Sequence, residues 1–340
     1  MRRAVTLAAW GLLLVAIVAA GWLRLPYYGI GPGPAREIAP LIRFEGLERF
    51  DSGGRLVMTT VRWRELTPFT ALRAWLDDDW EVVHRDELYP PGLDPATEER
   101  VAVAQMDQSQ IHAASVVLSR LTPYPREHGD GAMVEGIYPG CSADGELFPG
   151  EIVTAIDGEP VGSRADASAL IDAARPGEPL DVEVVSGEER RTVDLVRRRC
   201  IEGRAGAFVG VGFVDAFPYD VEMEGRDVGG PSAGLMFALG LYDLLTPGDL
   251  TAGATVAGTG TLDLEGDVGG IGSIRDKVVA AEHADASLFL VPRENASELD
   301  GIDTGDLRVV TVATFDEAIR ALIEAGGEDQ GEAVPIASVD

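Results

Sequence analysis

The sequence predicts an α+β protein with an N-terminal transmembrane helix, a β-rich domain in the middle of the chain and a C-terminal domain that alternates strands and helices. Three observations support this prediction. Residues 4–23 carry no charge, residues 131–198 alternate short strand patterns with turns that contain Gly and Pro, and strand and helix patterns alternate from Ala207 onward. With 340 residues the chain is long enough for two domains with separate cores.

The composition argues against two classes of binding partner. The formal net charge of −29 argues against nucleic acid, because phosphate binding requires clustered Lys and Arg side chains. The same charge argues against electrostatic attachment to anionic lipid beyond any inserted helix. Lys277 is the single lysine among 28 Lys and Arg residues, so arginine is the usual cation of this chain. No G-x-x-x-x-G-K-[ST] loop occurs, and we predict no ATP site, no cofactor and no metal.

The N-terminus has the pattern of a membrane anchor. Arg2 and Arg3 precede twenty uncharged residues from Ala4 to Leu23, enough to cross a hydrocarbon core of about 30 Å. Residues 1–24 are therefore expected to form a cytoplasmic tip and a transmembrane helix in the lipid bilayer. The positive charges favour a cytoplasmic N-terminus, which would make this a single-pass protein of the cell membrane with the rest of the chain extracytoplasmic. A cleaved signal peptide is the alternative, although its apolar region would usually be shorter and would precede an A-x-A site.

Cys141 and Cys200 are the two cysteines of the sequence. In an extracytoplasmic protein two cysteines can form one disulfide. We expect this pair to close a loop within or beside the β-rich domain. Two unpaired small apolar residues are the alternative.

Residues 25–126 have the pattern of a linker followed by strand and helix segments. Leu25 to Pro34 is rich in Gly and Pro, which predicts a stiff or extended segment. A helix is predicted from Thr67 to Leu76, with Thr67 as its N-cap and Pro68 at its first position. Apolar residues at helical spacing predict a longer helix from Thr97 to Leu121. We expect these elements to pack on the C-terminal domain.

The segments "YPGCSA", "LFPGEIVTAIDGEPV" and "ADASALIDAA" follow one another between residues 127 and 200. They have the patterns of a strand end, a turn–strand–turn unit and a short helix, and in this order they resemble a bacterial PDZ domain. The resemblance implies that residues 127–200 bind a peptide terminus or an extended segment as an added strand. It also implies a carboxylate-binding loop near Gly131, Ala132, Met133 and Val134. This loop lacks the usual G-L-G-F pattern, so a PDZ-shaped spacer remains the alternative.

Ser232 is a candidate nucleophile. It lies in G-P-S-A-G, Gly230 to Gly234, which also fits the G-x-S-x-G elbow of α/β-hydrolases. A serine hydroxyl needs an adjacent base, and His283 is the one histidine that follows it in the sequence. His283 lies on what reads as the solvent face of an alanine-rich helix, and residues 223–228 are too polar for the buried strand of an elbow. An esterase that uses His283 stays an alternative.

Lys277 is the second candidate base. Ser273 and Asp276 match an S-x-x-D capping box, which predicts a helix capped by Ser273 with Lys277 one turn in. Lys277 then shares a stripe with Ile274 and Ala281, which turns it towards the interior. Burial disfavours the charged form of a lysine and lets it act as a general base, whereas arginine cannot be deprotonated in proteins.

The segments "GGPSAG" and "GTGTLDLEGDVGGIGSIRDK" resemble the nucleophile and lysine segments of the Lon-type serine–lysine endopeptidases in order and spacing. Ser232 and Lys277 are 45 residues apart, and the resemblance covers residues 207–324. It implies that Ser232 attacks, that Lys277 is the general base and that Thr259 supports the lysine. It also implies that the backbone N–H groups of Gly230 and Ser232 bind the oxyanion.

The resemblance extends to the order of the domains. An anchor, a PDZ-like domain over 127–200, a Lon-type domain over 201–326 and a polar tail over 327–340 resemble the membrane-anchored bacterial PDZ–Lon-like proteases. One departure is that Val228-Gly229 stands where the family often has an Asp before G-P-S-A-G.

The function implied by this resemblance is ATP-independent cleavage of flexible segments in extracytoplasmic or membrane proteins. A PDZ domain would serve substrate recognition or regulation, and a homo-oligomer is among the assemblies compatible with this resemblance. The alternative is a catalytically silent PDZ adaptor at the membrane.

Overall fold

The computed structural model describes residues 10–11, 20–89, 95–201, 203–225, 228–329 and 331. The strands in these ranges are β1 (Tyr27–Pro32), β2 (Arg36–Glu37), β3 (Ile42–Phe44), β4 (Arg55–Met58), β5 (Val61–Glu65), β6 (Glu81–His84), β7 (Ala132–Ile137), β8 (Ile152–Ile156), β9 (Glu159–Pro160), β10 (Pro179–Ser186), β11 (Glu189–Val196), β12 (Val211–Asp215), β13 (Val221–Met223), β14 (Thr255–Gly258), β15 (Thr261–Leu262), β16 (Val268–Gly269), β17 (Leu288–Pro292) and β18 (Arg308–Val312). The helices are α1 (Pro68–Leu76), α2 (Arg85–Leu88), α3 (Pro95–Leu121), α4 (Arg164–Ala173), α5 (Gly234–Leu245), α6 (Ile274–Glu282) and α7 (Phe315–Glu324), with 3-10 turns at Ala39–Leu41 and Arg293–Leu299.

The PDZ-like domain is built on one antiparallel sheet with the strand order β11-β10-β8-β7-β12, in which β9 also pairs with β8. The predicted hairpin is present, and β10 and β11 pair from Pro179 with Val196 to Ser186 with Glu189. Alternate residues of these strands are buried, as expected for a sheet with one face on a core. The α4 helix begins after Ser163, whose side chain accepts a hydrogen bond from the Asp166 N–H group, and its apolar side covers that core.

The boundary of the PDZ-like domain lies beyond the predicted residue 200. The β12 strand pairs antiparallel with β7, from Val211 opposite Ile137 to Asp215 opposite Ala132. Residues that the sequence placed at the start of the Lon-type domain therefore form the end strand of the PDZ-like sheet.

The C-terminal domain contains a second sheet with the order β18-β17-β14-β4-β2, in which β14 runs parallel to both β4 and β17. Every residue of α5 is buried, and α3 packs against this helix. Both β4 and α3 come from residues 25–126, so this part of the chain belongs to the C-terminal domain instead of linking to it. The PDZ-like domain is consequently inserted between two segments of one larger domain.

The N-terminal elements form a small sheet with the order β5-β1-β6, beside which α1 lies. The predicted start of α1 is confirmed, because Thr67 is its N-cap, its side chain accepts from the Thr70 N–H group, and Pro68 is its first residue. The Gly- and Pro-rich segment after residue 24 is extended, as predicted, and supplies β1.

The predicted fold class needs one correction, which concerns the transmembrane helix over Ala4–Leu23. None of the helices in the described ranges is both long enough and apolar enough to cross a membrane. The predicted transmembrane helix is therefore not supported, and residues 4–9 and 12–19 of it lie outside the described residues. The fold class that remains is α+β, with a PDZ-like domain inserted in a larger α/β domain.

Candidate active site

Ser232 lies in the turn that leads into the buried helix α5. The helix begins at Gly234 with Ala233 as its N-cap, so Ser232 precedes the helix by two residues. Ser232 is partly exposed. The turn is fixed from outside by Ser109 of α3, whose hydroxyl donates to the Pro231 carbonyl over 3.0 Å.

Thr259 follows the central strand β14 and is 1% exposed. Its hydroxyl donates to the carbonyl oxygen of Ser232 over 3.1 Å, and the N–H group of the next residue, Gly260, donates to the same oxygen over 2.8 Å. The Thr259 N–H group donates to the Leu290 carbonyl in β17. The Ser232 peptide is thus held by two donors that follow the central strand of the sheet.

Lys277 is buried in α6 and is 4% exposed, as its position on the predicted apolar stripe requires. Its ammonium group donates to the Thr259 hydroxyl over 3.0 Å. Burial lowers the pKa of Lys277 to about 8, and the neighbouring Asp276 carboxylate only partly opposes this shift. A substantial fraction of this lysine is therefore neutral near physiological pH, as a general base must be.

The predicted capping box at the start of α6 is not formed, although the helix begins at the expected residue. Ser273 is in the left-handed region at φ 58° and makes no side-chain hydrogen bond to the first turn. The loop before it is instead held by Asn295, which is 4% exposed. Its side chain accepts from the Ile271 N–H group over 2.9 Å and donates to the Ile271 carbonyl over 2.7 Å. Sequence reasoning missed Asn295 because no motif includes it, and only the fold brings it to this loop.

The three candidate residues are brought together through Thr259. Among the described residues there is no hydrogen bond between the Ser232 hydroxyl and the Lys277 ammonium group. The Lys277 nitrogen is joined to the Ser232 peptide by the two hydrogen bonds of the Thr259 hydroxyl. Catalytic hydrogen bonds are often long in enzymes without substrate and shorten when substrate binds.

One of the two predicted oxyanion donors is already in use. The N–H group of Gly230 donates to the carbonyl of Ala102 in α3 over 2.8 Å. Because a backbone N–H group has one proton to donate, Gly230 is not an oxyanion donor in this arrangement. No carbonyl in the described part of the chain accepts from the Ser232 N–H group, which remains the candidate donor.

The structure does not support a peptide site along Gly131 to Val134. The strand β7 lies inside the sheet, with Met133 opposite Val214 on one side and opposite Ile152 on the other. A strand whose two edges are both paired cannot accept another. One end strand of this sheet is β12, and the residues Gly210-Val211-Gly212-Phe213 at its start match the G-L-G-F pattern with Val in place of Leu.

The two cysteines form a disulfide, with Cys141 and Cys200 sulfurs 1.97 Å apart. His283 is exposed and follows the last residue of α6, so the alternative base lies at the solvent end of the helix that buries Lys277. Within the described ranges, no cluster of three His, Cys, Asp or Glu side chains is arranged to hold a metal ion.

Comparison with known proteins identifies two domains in this chain. Residues 226–325 match the family model of the Lon protease (S16) C-terminal proteolytic domain, and residues 133–186 match that of the PDZ domain. The predictions of a Lon-type serine peptidase domain and of a PDZ domain are thereby confirmed.

Individual relatives support the first of these matches. The peroxisomal Lon protease homolog 2 of Homo sapiens is 38% identical over 100 residues, and the Lon protease of Vibrio parahaemolyticus is 34% identical over 98 residues. Each match covers 28% of this chain and 12% of the relative. The PDZ domain of an SdrC-like protein from Listeria monocytogenes is 20% identical and covers 25% of this chain and 87% of that structure, with a TM-score of 0.23. The chain therefore spans only a small part of the length of the curated relatives it matches.

Proposed function

We propose that this chain is an ATP-independent serine endopeptidase in which Ser232 is the nucleophile and Lys277 is the general base. The observation that carries the proposal is the burial of the single lysine of the chain. Its amine lies 3.0 Å from the Thr259 hydroxyl, which in turn holds the Ser232 peptide. A lysine whose pKa is lowered to about 8 can accept a serine proton near neutral pH, and arginine cannot.

The proposed reaction has two halves. Neutral Lys277 takes the proton of the Ser232 hydroxyl, and the serine oxygen attacks the carbonyl carbon of the scissile peptide bond. The Lys277 ammonium group then protonates the leaving amine as the C–N bond breaks and an acyl-enzyme remains. In the second half Lys277 takes a proton from water, the resulting hydroxide attacks the ester, and the proton returns to Ser232.

Two groups would assist this reaction. The Ser232 N–H group would donate to the developing oxyanion, a contribution worth about 3 kcal/mol for one donor. Thr259 would orient the amine, because its hydroxyl accepts from Lys277 while it donates to the Ser232 carbonyl.

We further propose that the substrates are flexible segments of extracytoplasmic or membrane proteins. The 340 residues contain no phosphate-binding loop for ATP, so nothing in this chain would unfold a stable substrate. The Cys141–Cys200 disulfide supports an extracytoplasmic site of action, because disulfides persist in oxidising compartments.

Two matched measurements test this function. The purified protein should react with a serine-directed fluorophosphonate probe and should cleave an unfolded protein substrate without ATP, and Ser232→Ala should lose both properties. A control variant, Ser287→Ala, removes an exposed hydroxyl of the same domain and should retain both. If the wild type neither reacts nor cleaves but still binds peptides, the protein is the catalytically silent adaptor.

A further inference from the structure

A groove of about 1050 Å³ lies between the PDZ-like domain and the proteolytic domain. Met133 of β7 and Ile152 of β8 line it on one side, and the strand β13 with the loop before it lines the other. Gln110 of α3 lies among the lining residues. The walls of the groove therefore come from both domains.

The strand β13 offers an edge to this groove. In the described part of the chain β13 pairs with β3 alone, and all three of its residues line the groove. On the β3 side, the Glu224 N–H group donates to the Leu41 carbonyl and the Asp220 carbonyl accepts from the Glu45 N–H group. Alternate residues of a strand direct their backbone groups to opposite edges. The backbone N–H and carbonyl groups of Val221 and Met223 consequently point to the edge away from β3.

Gln110 provides a second and independent observation. Its side chain is 9% exposed, and its amide nitrogen Nε2 is buried without a hydrogen-bond partner. A buried donor without an acceptor costs about 1–3 kcal/mol, so such groups call for an explanation. Turning the Gln110 side chain towards the groove would let its amide donate to a peptide carbonyl and gain the missing acceptor.

The groove adjoins the catalytic turn along α3. Ser109, the residue before Gln110, donates its hydroxyl to the carbonyl of Pro231, which is bonded directly to Ser232. Beyond the last residue of β13, Gly225 lies against the side chains of Gln110 and Met106 in α3. The groove and the catalytic turn are thus connected through two consecutive residues of α3, Ser109 and Gln110.

The charges at the groove favour a basic occupant. Among the described residues, four carboxylates line it, from Asp107, Asp220, Glu222 and Glu224, and one cation, Arg36. Glu224 is additionally paired with Arg43. The exposed carboxylates of Asp220 and Glu222 would attract lysine and arginine side chains and repel acidic ones.

We propose that this groove binds an extended, basic segment of the substrate as a strand added to β13, with Gln110 donating to one of its carbonyl groups. The inference deepens the proposed function, and the identification of the bound segment as a substrate rests on that function. Strand addition gives affinity through main-chain hydrogen bonds, and the carboxylates of the groove select the side chains.

Peptide binding to Ser232→Ala tests this proposal without depending on cleavage. Two fluorescent twelve-residue peptides would be compared by anisotropy at low salt, one rich in lysine and one in which glutamate replaces each lysine. Both carry an amidated C-terminus, so that recognition of a terminal carboxylate is excluded. We expect the basic peptide to bind at least about tenfold more tightly.

Two groove variants, made in the Ser232→Ala background, locate the site. Asp220→Asn with Glu222→Gln removes two exposed carboxylates and should lower the affinity for the basic peptide by about tenfold. The control, Asp306→Asn with Glu324→Gln, makes the same change of charge at exposed positions outside the groove lining and should change nothing. Gln110→Met should lower the affinity for both peptides by about fivefold. It should not lower the melting temperature, because it removes a donor that has no partner in the described part of the protein.

The outcomes separate this inference from the proposed function. Equal affinity for the two peptides, or unchanged affinity in both groove variants, would overturn the groove assignment even if the wild type cleaves proteins. Selective binding that the groove variants weaken, in a protein whose wild type cleaves nothing, would uphold the peptide site and overturn the endopeptidase.

Discussion

At the scale of single residues, the main feature is the burial of Lys277, whose amine loses its hydration and hydrogen-bonds to one hydroxyl. Its amine has the Thr259 hydroxyl as its hydrogen-bond acceptor, at 3.0 Å, and the Asp276 carboxylate partly compensates its charge. A protonated amine in this position is poorly solvated, and the loss of its proton relieves that cost.

Replacement of Lys277 by arginine separates charge from basicity. Lys277→Arg keeps a cation but removes the one group, among the residues described at the site, that could accept the serine proton, so cleavage of an unfolded substrate should fall to background. Circular dichroism should show a retained fold. Arg275→Lys on the same helix, a change of similar size at an exposed position, should leave cleavage intact. Substantial turnover by Lys277→Arg would rule out the serine–lysine mechanism.

The pH dependence of cleavage should report the same proton. Below about pH 8 most Lys277 is charged, so kcat/KM should rise about tenfold per pH unit and level off above the pKa of about 8. Rates would be measured with a short peptide substrate at constant ionic strength. A profile with its midpoint near the unperturbed pKa of 10.5 would mean that Lys277 is not buried in the working enzyme.

Motifs predicted the candidate residues, but they did not predict which atoms of those residues are free to act. The spacing of Ser232 and Lys277 pointed to the pair, and helical periodicity placed Lys277 inside. The engagement of the Gly230 N–H group with Ala102, and the role of Asn295 in the loop before α6, depend on tertiary contacts that no local pattern contains.

At the scale of secondary-structure elements, α3 holds the two domains together through His112. One ring nitrogen of His112 lies 2.7 Å from the Glu135 carboxylate in β7, and the other lies 2.9 Å from the Leu262 carbonyl in β15. Because carboxylates and carbonyls only accept, both nitrogens are satisfied as donors when the imidazole is protonated.

The titration of this pair follows from its surroundings. Burial opposes protonation of His112, but the hydrogen bonds to Glu135 and to the Leu262 carbonyl and the nearby Asp263 carboxylate together raise its pKa. The hydrogen bond from His112 lowers the pKa of Glu135, against the effect of burial. The contribution of His112 is complete below pH 6.5 and is lost as pH rises through its raised pKa. That of Glu135 is complete above pH 4.5 and is lost as pH falls through its lowered pKa.

The pair should therefore stabilise the protein most between pH 4.5 and 6.5. His112→Gln should lower the free energy of unfolding by about 1–3 kcal/mol in this window and by less at alkaline pH. Urea denaturation at both pH values would measure the difference. His84→Gln is the matched control, because His84 is a partly exposed histidine outside this pair, 3.5 Å from the Asp86 carboxylate.

Elements with strong local signals were predicted well, and their partners were not. Thr67 and Pro68 fixed the start of α1, and alternation fixed the β10–β11 hairpin. The strand β12 was assigned to the wrong domain, because alternation says that a strand has one buried face and does not say which sheet it joins.

At the scale of the whole molecule, the disulfide closes a loop within the PDZ-like domain. Cys141 and Cys200 are 59 residues apart in the sequence, and in the chain-entropy model a crosslink of this span is worth about 4 kcal/mol. The double variant Cys141→Ser with Cys200→Ser should lose about that much stability in denaturant titrations of this domain. A reducing agent should destabilise the wild type by a similar amount and should leave the double variant unchanged; equal stability of all three would show that the bridge contributes nothing.

The insertion of the PDZ-like domain has a consequence for any attempt to divide the protein. A fragment of residues 201–326 would lack β4 and α3, which are the neighbours of β14 and α5, and we expect it to be unfolded by circular dichroism and far more sensitive to proteolysis than the whole chain.

The chain segments that enter and leave the insert lie side by side, since the Gly129 N–H group donates to the Ala216 carbonyl over 2.9 Å. Replacement of residues 130–215 by two glycines should therefore leave a folded remainder that still reacts with the serine probe. In such an arrangement the PDZ-like domain is a removable insertion and not one of two consecutive domains. Its deletion would leave the larger domain folded but would take away one wall of the groove.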